Sequence, residues 1–502
     1  MLMVAARDRD RLGEIANVAG RYGLGVLLAR LGLEKAPAMS ARMGDLPLPR
    51  RTRLALEALG PTFVKLGQIL ATRADLLPPD WIDELEQLHS QAPTLPFEAL
   101  RPAVEEALGQ PPEEAFAMFD TEPLAAASMA QVHRATLMGG GDIVLKIRRP
   151  DIRRRIEADL RLIAHLADVI EGASAEARRF YPKAMVRQLA EAILEELDFT
   201  KEGRNADRLR ADFARNSRVV VPQIHWQWSS ETMLAMDYVD GVPPRSGEAL
   251  REAGIDPAAI ADLGADIVLD MVLINGRFHA DPHPGNLLCL PGNRIALLDL
   301  GMIGHVSPRR REEFLGFVQS LVSGDPARLA DVLAVWSEGS GVPRERIMRA
   351  ADRLIAKHGG GKLVLSAMVA DFFPLLRDEE LTMPPDLLLI FKALVTIDGV
   401  LTGIEPNFDL AGAMRRAGPR LIRARLSPDN WSPVVQSLLI EVSRIGDDAP
   451  RLLRALIRRM EDAPVPSHHD EKAIAASIRS AGQWIAASIL ASALAIALTL
   501  IL

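Results

Sequence analysis

The chain has 502 residues, of which 48% are hydrophobic and 25% charged, with a net charge of −7 and a single cysteine, Cys289. That length allows about two to four domains, and the composition is that of a globular protein. The acidic balance gives no basis for nucleic-acid binding, and a lone thiol excludes an internal disulfide framework or a cysteine metal cluster, which fits a reducing compartment.

The N-terminal stretch MLMVAARDRDRLGE carries acids early and lacks a long apolar core, which argues against a signal or transit peptide. Residues 11–34 read as an amphipathic helix, with Leu12, Ile15, Val18, Ala19, Tyr22, Val26 and Leu27 apolar and Arg11, Arg21 and Arg30 at the border. Residues 50–90 form a helical pattern broken at Gly60-Pro61. Inside it Lys65 and Gln68, three apart on a helix, share a face, and Gly67 between them lets another backbone come close. By spacing alone this is an ordinary helix carrying a lysine. A further helix is expected from Leu95 to Gly109, ahead of the Pro111-Pro112 break.

A β-hairpin follows: Pro123 to Ala135, a turn at Gly139–Asp142, then the strand Ile143–Arg148. Its first arm sets small residues where a nucleotide could approach, over Leu124, Ala125, Ala126, Ala127, Ser128, Met129, Ala130, Gln131 and Val132. Lys146 sits mid-strand between Leu145 and Ile147, as the lysine of a kinase V-A-I-K strand does when it grips phosphates and pairs with a helix glutamate. Residues 151–215 are long helices, and Arg153, Arg154 and Arg155 make a solvated face. Glu202, after the apolar series Met185, Leu189, Ile193 and Leu197, is the expected partner of Lys146, and the long gap between them implies an inserted helical element. Val219–Val221 and Met233–Val239 are strand-like, and the second ends at Asp240-Gly241 as a hinge between lobes would.

An apolar helix, Ala259 to Leu273, leads into Phe278–Met302, FHADPHPGNLLCLPGNRIALLDLGM. Asp281 and Asn286 make D-x-x-x-x-N. Apolar runs Leu287–Leu290 and Ile295–Leu298 flank a Pro291-Gly292-Asn293 turn, and Asp299 closes the hairpin. Phosphoryl transfer needs one carboxylate beside the attacking oxygen, and an amide with a second carboxylate to hold divalent metal on the phosphates. Asp281 fits the first role, and Asn286 and Asp299 fit the second, in the order found in protein kinases.

Beyond Met302 the chain reads as mostly helical to about residue 460, with breakers at Gly324-Asp325-Pro326, Gly359–Gly361 and Pro384-Pro385. Arginines 415, 416, 420, 423 and 425, and again 451, 454, 458 and 459, form clusters suited to water or to anionic headgroups. Pro464 and Pro466 mark a linker. The uncharged 22-residue run Ala481–Leu502 is about 33 Å long as a helix, enough to span a bilayer core. Lys472 and Arg479 on its N-terminal side leave the main body cytoplasmic.

In this order the motifs resemble those of the UbiB family, atypical kinase-like proteins of ubiquinone biosynthesis, over residues 50–405. Lys65-Leu66-Gly67-Gln68 is similar to the family's K-x-G-Q signature, Ala125–Ser128 to its alanine-rich loop, and Glu196-Leu197-Asp198 to its E-x-D motif. Lys146, Glu202, Asp281, Asn286 and Asp299 match its phosphate-binding, catalytic and metal-binding positions. The resemblance implies an α+β, protein-kinase-like two-lobe fold. Its parts are an N-terminal helical extension (1–110), an N-lobe with a helical insertion (111–241), a mostly helical C-lobe (242–460), a linker (461–480) and a transmembrane helix (481–502). It further implies that the K-x-G-Q helix covers the active site, so that Lys65, Gly67, Gln68, Glu196 and Asp198 gate it.

The implied cofactors are ATP or ADP and Mg²⁺. The implied activity is ATP turnover or small-molecule phosphorylation supporting prenyl-lipid hydroxylation and assembly at a bacterial inner membrane. Membrane lipid or prenylated quinone intermediates and other ubiquinone-biosynthesis proteins are the implied partners. Leu300 stands where ordinary kinases have Phe, and the tail shows one apolar run where close bacterial members have two spans. Two other readings compete. Aminoglycoside and choline phosphotransferases share His279-Ala280-Asp281 through Asn286 but lack the Lys65–Gln68 motif, and a nucleotide-sensing scaffold would bind without turnover.

Overall fold

The computed structural model describes residues 8–24, 46–71, 77–88, 93–173, 182–337, 341–359, 365–381 and 383–425. Contacts divide the chain into two units, Met1–Ile422 and Arg423–Leu502, and both lobes belong to the first. The expected linker and apolar tail, 461–502, lie outside the described residues.

Helix α1 (Arg9–Arg21) stops well short of the expected residue 34, at Tyr22 and the left-handed Gly23. Helices α2 (Leu48–Leu59) and α3 (Pro61–Ala71) meet at Gly60, whose φ of 100° suits only glycine, and Pro61 opens α3 where no N–H is needed. A short α4 (Pro79–Leu85) packs beside them. Leu59 and Phe63 bury themselves against Ile156 and Leu160 of α6 (Ile152–Ala173) and Leu189 and Ile193 of α7 (Pro182–Glu196). A buried ion pair pins this layer. Arg11 Nε lies 2.6 Å from Asp159 Oδ1, Arg11 also donates to the Leu59 carbonyl, and Thr62 donates to Asp159 Oδ2 at 2.8 Å. With each oxygen partnered, the pair is tolerated, whereas removing either ion would strand the other.

The five-stranded sheet runs β1 (Met118–Phe119), β3 (Ala130–Thr136), β4 (Asp142–Arg148), β6 (Met233–Asp237), with β2 (Ala125–Ala126) also on β3, all antiparallel. Helix α5 (Phe97–Leu108) covers one face, where Leu100 and Val104 pack on Ile143, Leu145 and Ile147. Alternation along β4 sends Lys146 to the opposite face, which α8 (Phe199–Asp212) approaches. Helices α6 and α7 are the insertion expected between β4 and α8.

In the second lobe α9 (Pro257–Asp270) runs on through a single π-helical turn, Met271–Asn275. Strands β8 (Leu287–Leu290) and β9 (Arg294–Leu297) form the expected hairpin, turned by Gly292 and Asn293 at positive φ. Strand β7 (Arg277–His279) pairs with β10 (Ile303–His305), bringing both ends of the motif stretch together. These three-residue strands carry no alternation, so their sequence does not announce them. Strand β5 (Val219–Val220) pairs in parallel with β9, on a sheet separate from β6, and the connection between β5 and β6 carries a 3-10 turn at Trp226–Trp228.

Helices α10 (Pro308–Ser323), α11 (Pro326–Trp336), α12 (Arg344–His358), α13 (Leu365–Asp378), α14 (Pro385–Ile404) and α15 (Leu410–Arg425) complete the lobe, broken where Gly324, Gly359 and Pro384 lie. Phe314, Phe317, Trp336, Phe372 and Phe391 form its aromatic core. Among the described residues, Asp386–Ile404 of α14 is the one helical stretch apolar and long enough to cross a membrane. More than half of it lies inside the protein, with Leu387, Ile390, Phe391, Ala393 and Leu394 buried, as in a core helix. The whole is the α+β two-lobe arrangement expected.

Candidate active site

Lys146 occupies the central strand β4, opposite Val132 on β3 and Leu234 on β6. Its Nζ lies 2.9 and 2.8 Å from the two Glu202 oxygens and 3.4 Å from Asp299 Oδ1, with the Phe199 ring beneath it. Glu202 is delivered by the first turn of α8. Asp198 caps that helix, accepting from the Thr200 N–H at 3.0 Å and its hydroxyl at 2.7 Å. Desolvation works to lower the Lys146 pKa, but Asp299 and Glu202 outweigh it and hold the ammonium charged. Burial pushes the Glu202 carboxyl up to about 7, with Asp299 and Glu196 adding to the rise against the pull of Lys146. The three carboxylates Asp299, Glu202 and Glu196 thus keep Lys146 charged, whereas burial is the chief cause of the Glu202 shift.

Asp299 is held below the usual carboxylate range, chiefly by Lys146. Its φ of 43° is uncommon outside glycine, and Asn205 of α8 clamps the next residue by donating to the Leu300 carbonyl at 3.1 Å. The Asp299 side chain remains 51% exposed and so open to a ligand.

The Asp281–Asn286 loop is held by its own polar groups. The buried His279 accepts the Asp281 N–H at Nδ1 (3.2 Å) and donates from Nε2 to the Leu298 carbonyl (3.3 Å). Desolvation lowers its pKa, so the ring stays neutral and keeps this tautomer. Asn286 donates Nδ2 to the Asp281 carbonyl at 3.1 Å, which leaves its Oδ1 as a ligand atom. His283 accepts the Gly285 N–H at 2.9 Å, and the Leu298 N–H reaches the Asn286 carbonyl at 2.8 Å. Lys392 of α14 places Nζ 3.9 Å from Asp281 Oδ1. No motif marks Lys392 in the sequence; the one signal is a lysine inside an otherwise apolar helical run.

Among the described residues no cluster of three His, Cys, Asp or Glu could by itself hold a metal. Asp299 and Asn286 instead offer two oxygen donors in a region of excess negative charge. That suits Mg²⁺, which is usually held by one or two protein oxygens together with substrate phosphates.

The alanine loop lies along β3, with Ala125 opposite Val132 and Ala126 opposite Gln131. Ala127 accepts from Arg149 Nε at 3.0 Å, and the same guanidinium reaches the Pro93 carbonyl at 2.7 Å. Leu124 is exposed, whereas Met129, Ala130 and Gln131 are buried. The Gln131 amide bonds both backbone groups of Leu95, so what Gln131 and Met129 can offer a nucleotide is backbone. Of the run Leu124–Val132 expected to meet a nucleotide, Leu124 and Ala125 are exposed and Ala126, Ala127, Ser128 and Val132 half-buried, so side chains are open mainly at its start.

Lys65 pairs with Glu196 Oε2 at 2.7 Å, while Gln68 donates to the Leu88 carbonyl at 3.2 Å. Both lie on the helix Pro61–Ala71, three residues apart as expected, and these two contacts tie that helix to Glu196 and to Leu88. A Cβ at Gly67 would stand 2.2 Å from Leu88 Cδ1 and 2.9 Å from Leu56 Cδ1, so the close approach is by leucine side chains rather than by backbone. Asp198 faces its own helix as a cap.

The family model described as the ABC1 atypical kinase-like domain matches residues 87–333, and the UbiB helical domain matches 360–409. A "Probable protein kinase UbiB" of Xanthomonas campestris pv. campestris (strain B100) is 34% identical over 474 residues, covering 89% of this chain and 85% of that protein. The chain belongs to the UbiB family. A relative of the same name from Xylella fastidiosa (strain 9a5c) is 33% identical, over 90% of this chain and 85% of its own length. The solved complex of Rv3197 with erythromycin from Mycobacterium tuberculosis is 22% identical with a TM-score of 0.50, covering 69% of this chain and 89% of that one. That likeness speaks for the kinase-like fold of this UbiB-family protein alone.

Proposed function

We propose that this UbiB-family protein is an ATP-using atypical kinase or ATPase that supports ubiquinone biosynthesis, at or near the ring-hydroxylation steps, from the bacterial inner membrane. The observation that carries this reading is the junction of the two lobes at one ammonium: Lys146, from the N-lobe sheet, touches Glu202 of α8 and Asp299 of the hairpin. Lys146, kept charged and oriented by Glu202, binds phosphate oxygens. Asp299 and Asn286 hold Mg²⁺, which supplies charge neutralisation along the phosphates. Asp281, its backbone fixed by His279 and Asn286, orients the acceptor O–H and takes its proton. The alanine loop, with Cβ atoms where other kinases have glycines, cradles the nucleotide with less backbone freedom. Lys65, Gly67 and Gln68 of the extension, with Glu196 and Asp198, govern access. The Ala481–Leu502 run anchors the body to the membrane, with prenylated quinone intermediates as neighbours.

The test is phosphate release from Mg·ATP by the full chain, with and without anionic liposomes, alongside ubiquinone content in a deletion strain. Asp281→Asn and Asp299→Ala are expected to lower turnover by ~100-fold or more, and Asp281→Asn to leave the strain without normal ubiquinone. Full complementation by Asp281→Asn would sink the catalytic reading. Nucleotide binding with no turnover under any condition would make the protein a nucleotide-sensing scaffold.

A further inference from the structure

The loop Asp281-Pro-His-Pro-Gly-Asn286 contains no lysine or arginine. Phosphoryl transfer spreads negative charge over the oxygens of the moving group, and a positioned cation there, in cis or in trans, is a recurrent source of rate. Lys146 is already engaged by Glu202 and Asp299. Lys392 is not part of that set. It approaches Asp281 instead, with Nζ 3.9 Å from Oδ1.

The setting of Lys392 is unusual for a surface lysine. It is the only basic residue of α14, and its neighbours Phe391 and Ala393 are fully buried. Its own side chain is 38% exposed, and that of Asp281 39%. An ion pair this long and this open contributes little to folding, so stability does not account for a lysine here. Glu86, an exposed residue just past α4, lies within electrostatic reach of the same ammonium: desolvation and Asp83 push its carboxyl up, and Lys392 pulls it down. The ammonium thus acts electrostatically on a residue of the N-terminal extension as well as on Asp281. It belongs to the 360–409 segment matched by the UbiB helical domain, outside the 87–333 kinase-like match.

We propose that Lys392 is the cation of the transfer step, supplied in cis by the helical domain, and that it contacts the terminal phosphate of ATP beside Asp281. This rests on the ATP-using reading of the site. In the step, a lone pair of the acceptor oxygen forms a bond to the γ-phosphorus. The bridging bond between the β- and γ-phosphates breaks, its electron pair leaving with ADP, and the acceptor proton passes to Asp281. Lys392 balances the charge of the moving group and, at rest, holds the Asp281 carboxylate on its side of the site. The acceptor is a hydroxyl or water.

The experiment uses the full chain with Mg²⁺ and measures affinity for ADP and for AMPPNP, together with phosphate release from ATP, in the wild type, Lys392→Met, Lys392→Gln and Lys392→Arg. For Met and Gln, ADP affinity is expected to stay within about twofold, AMPPNP affinity to fall ~10-fold and phosphate release ~100-fold, with Arg restoring most of both. The ADP titration reports an intact fold, and Gln covers the case in which Met perturbs the helix. If the wild type binds both nucleotides and the AMPPNP-to-ADP ratio is unchanged in Met and Gln, the proposal is overturned. If the wild type binds neither nucleotide, the ATP-using reading itself falls, a different result from the first.

Discussion

Lys65 of the N-terminal extension meets Glu196 at 2.7 Å, and Glu196 closes α7 just before Asp198 caps α8. The extension is therefore tied to the same short segment that presents Glu202 to Lys146. Any movement of α3 away from the body acts through Glu196 on the segment that leads into α8, whose first residue, Phe199, is three before the glutamate that orients the phosphate lysine.

That link predicts coupled effects on access. Lys65→Glu and Glu196→Lys should each speed nucleotide association, and the double variant should return toward the wild-type rate, with a coupling of about 1 kcal/mol for such a part-exposed pair. Stopped-flow association rates for the four proteins measure it. Strictly additive effects would mean that the pair does not gate entry.

The cap offers a second test. Asp198→Ala removes the acceptor for Thr200 and should cost about 1 kcal/mol in denaturant unfolding, with weaker ADP binding because Glu202 loses its fixed position. Asp198→Ser, which can still cap, should keep both. An ADP affinity unchanged in Asp198→Ala would separate the cap from the site.

Gly67 should prove intolerant for a steric reason. In Gly67→Ala the new methyl meets Leu88 and Leu56 at impossible distances, so those leucine side chains must shift away from α3, at a cost of about 1–3 kcal/mol. Hydrogen exchange should rise over residues 61–88 while β4 and α8 stay protected. Uniform protection across the chain would show that the leucines yield without strain.

Stability should also carry a pH signature from Asp270. Burial pushes its carboxyl up to about 6, although Arg420 lies 3.4 Å away and pulls it down, and Asp266 adds to the rise. The native state then holds a proton that the unfolded chain releases near its ordinary value of about 4. The resulting stabilisation is full below about 4 and is lost as pH rises through about 6. Asp270→Asn should therefore be more stable than the wild type at pH 7.5, by at most about 3 kcal/mol, and the gap should close as pH falls toward 4. Parallel wild-type and variant curves between pH 4 and 7 would contradict this.

Several elements were legible in the chain itself. The Gly60-Pro61 break, the β3–β4 and β8–β9 hairpins and the mid-strand position of Lys146 rest on neighbours a few residues apart. The Lys146–Glu202 pair, although distant in sequence, was legible through residue type: a lysine among apolar strand residues must find an acid. Other features needed the fold. Nothing in the sequence shows that the Gln131 side chain bonds the backbone of Leu95. Val219–Val221 read as strand-like, but only the fold showed its partner to be β9.

The sequence by itself therefore determined the types and order of the chemical groups, the turns that separate them and the period that sends each to one face. Those properties depend on local sterics and hydrogen bonding along the chain. Tertiary structure alone decided which groups meet: Lys65 with Glu196, Gly67 with Leu56 and Leu88, Asn205 with Leu300, Lys392 with Asp281. Such meetings follow from how apolar faces pack across long loops. An isolated lysine or glycine carries no local signal of the partner that packing will bring to it.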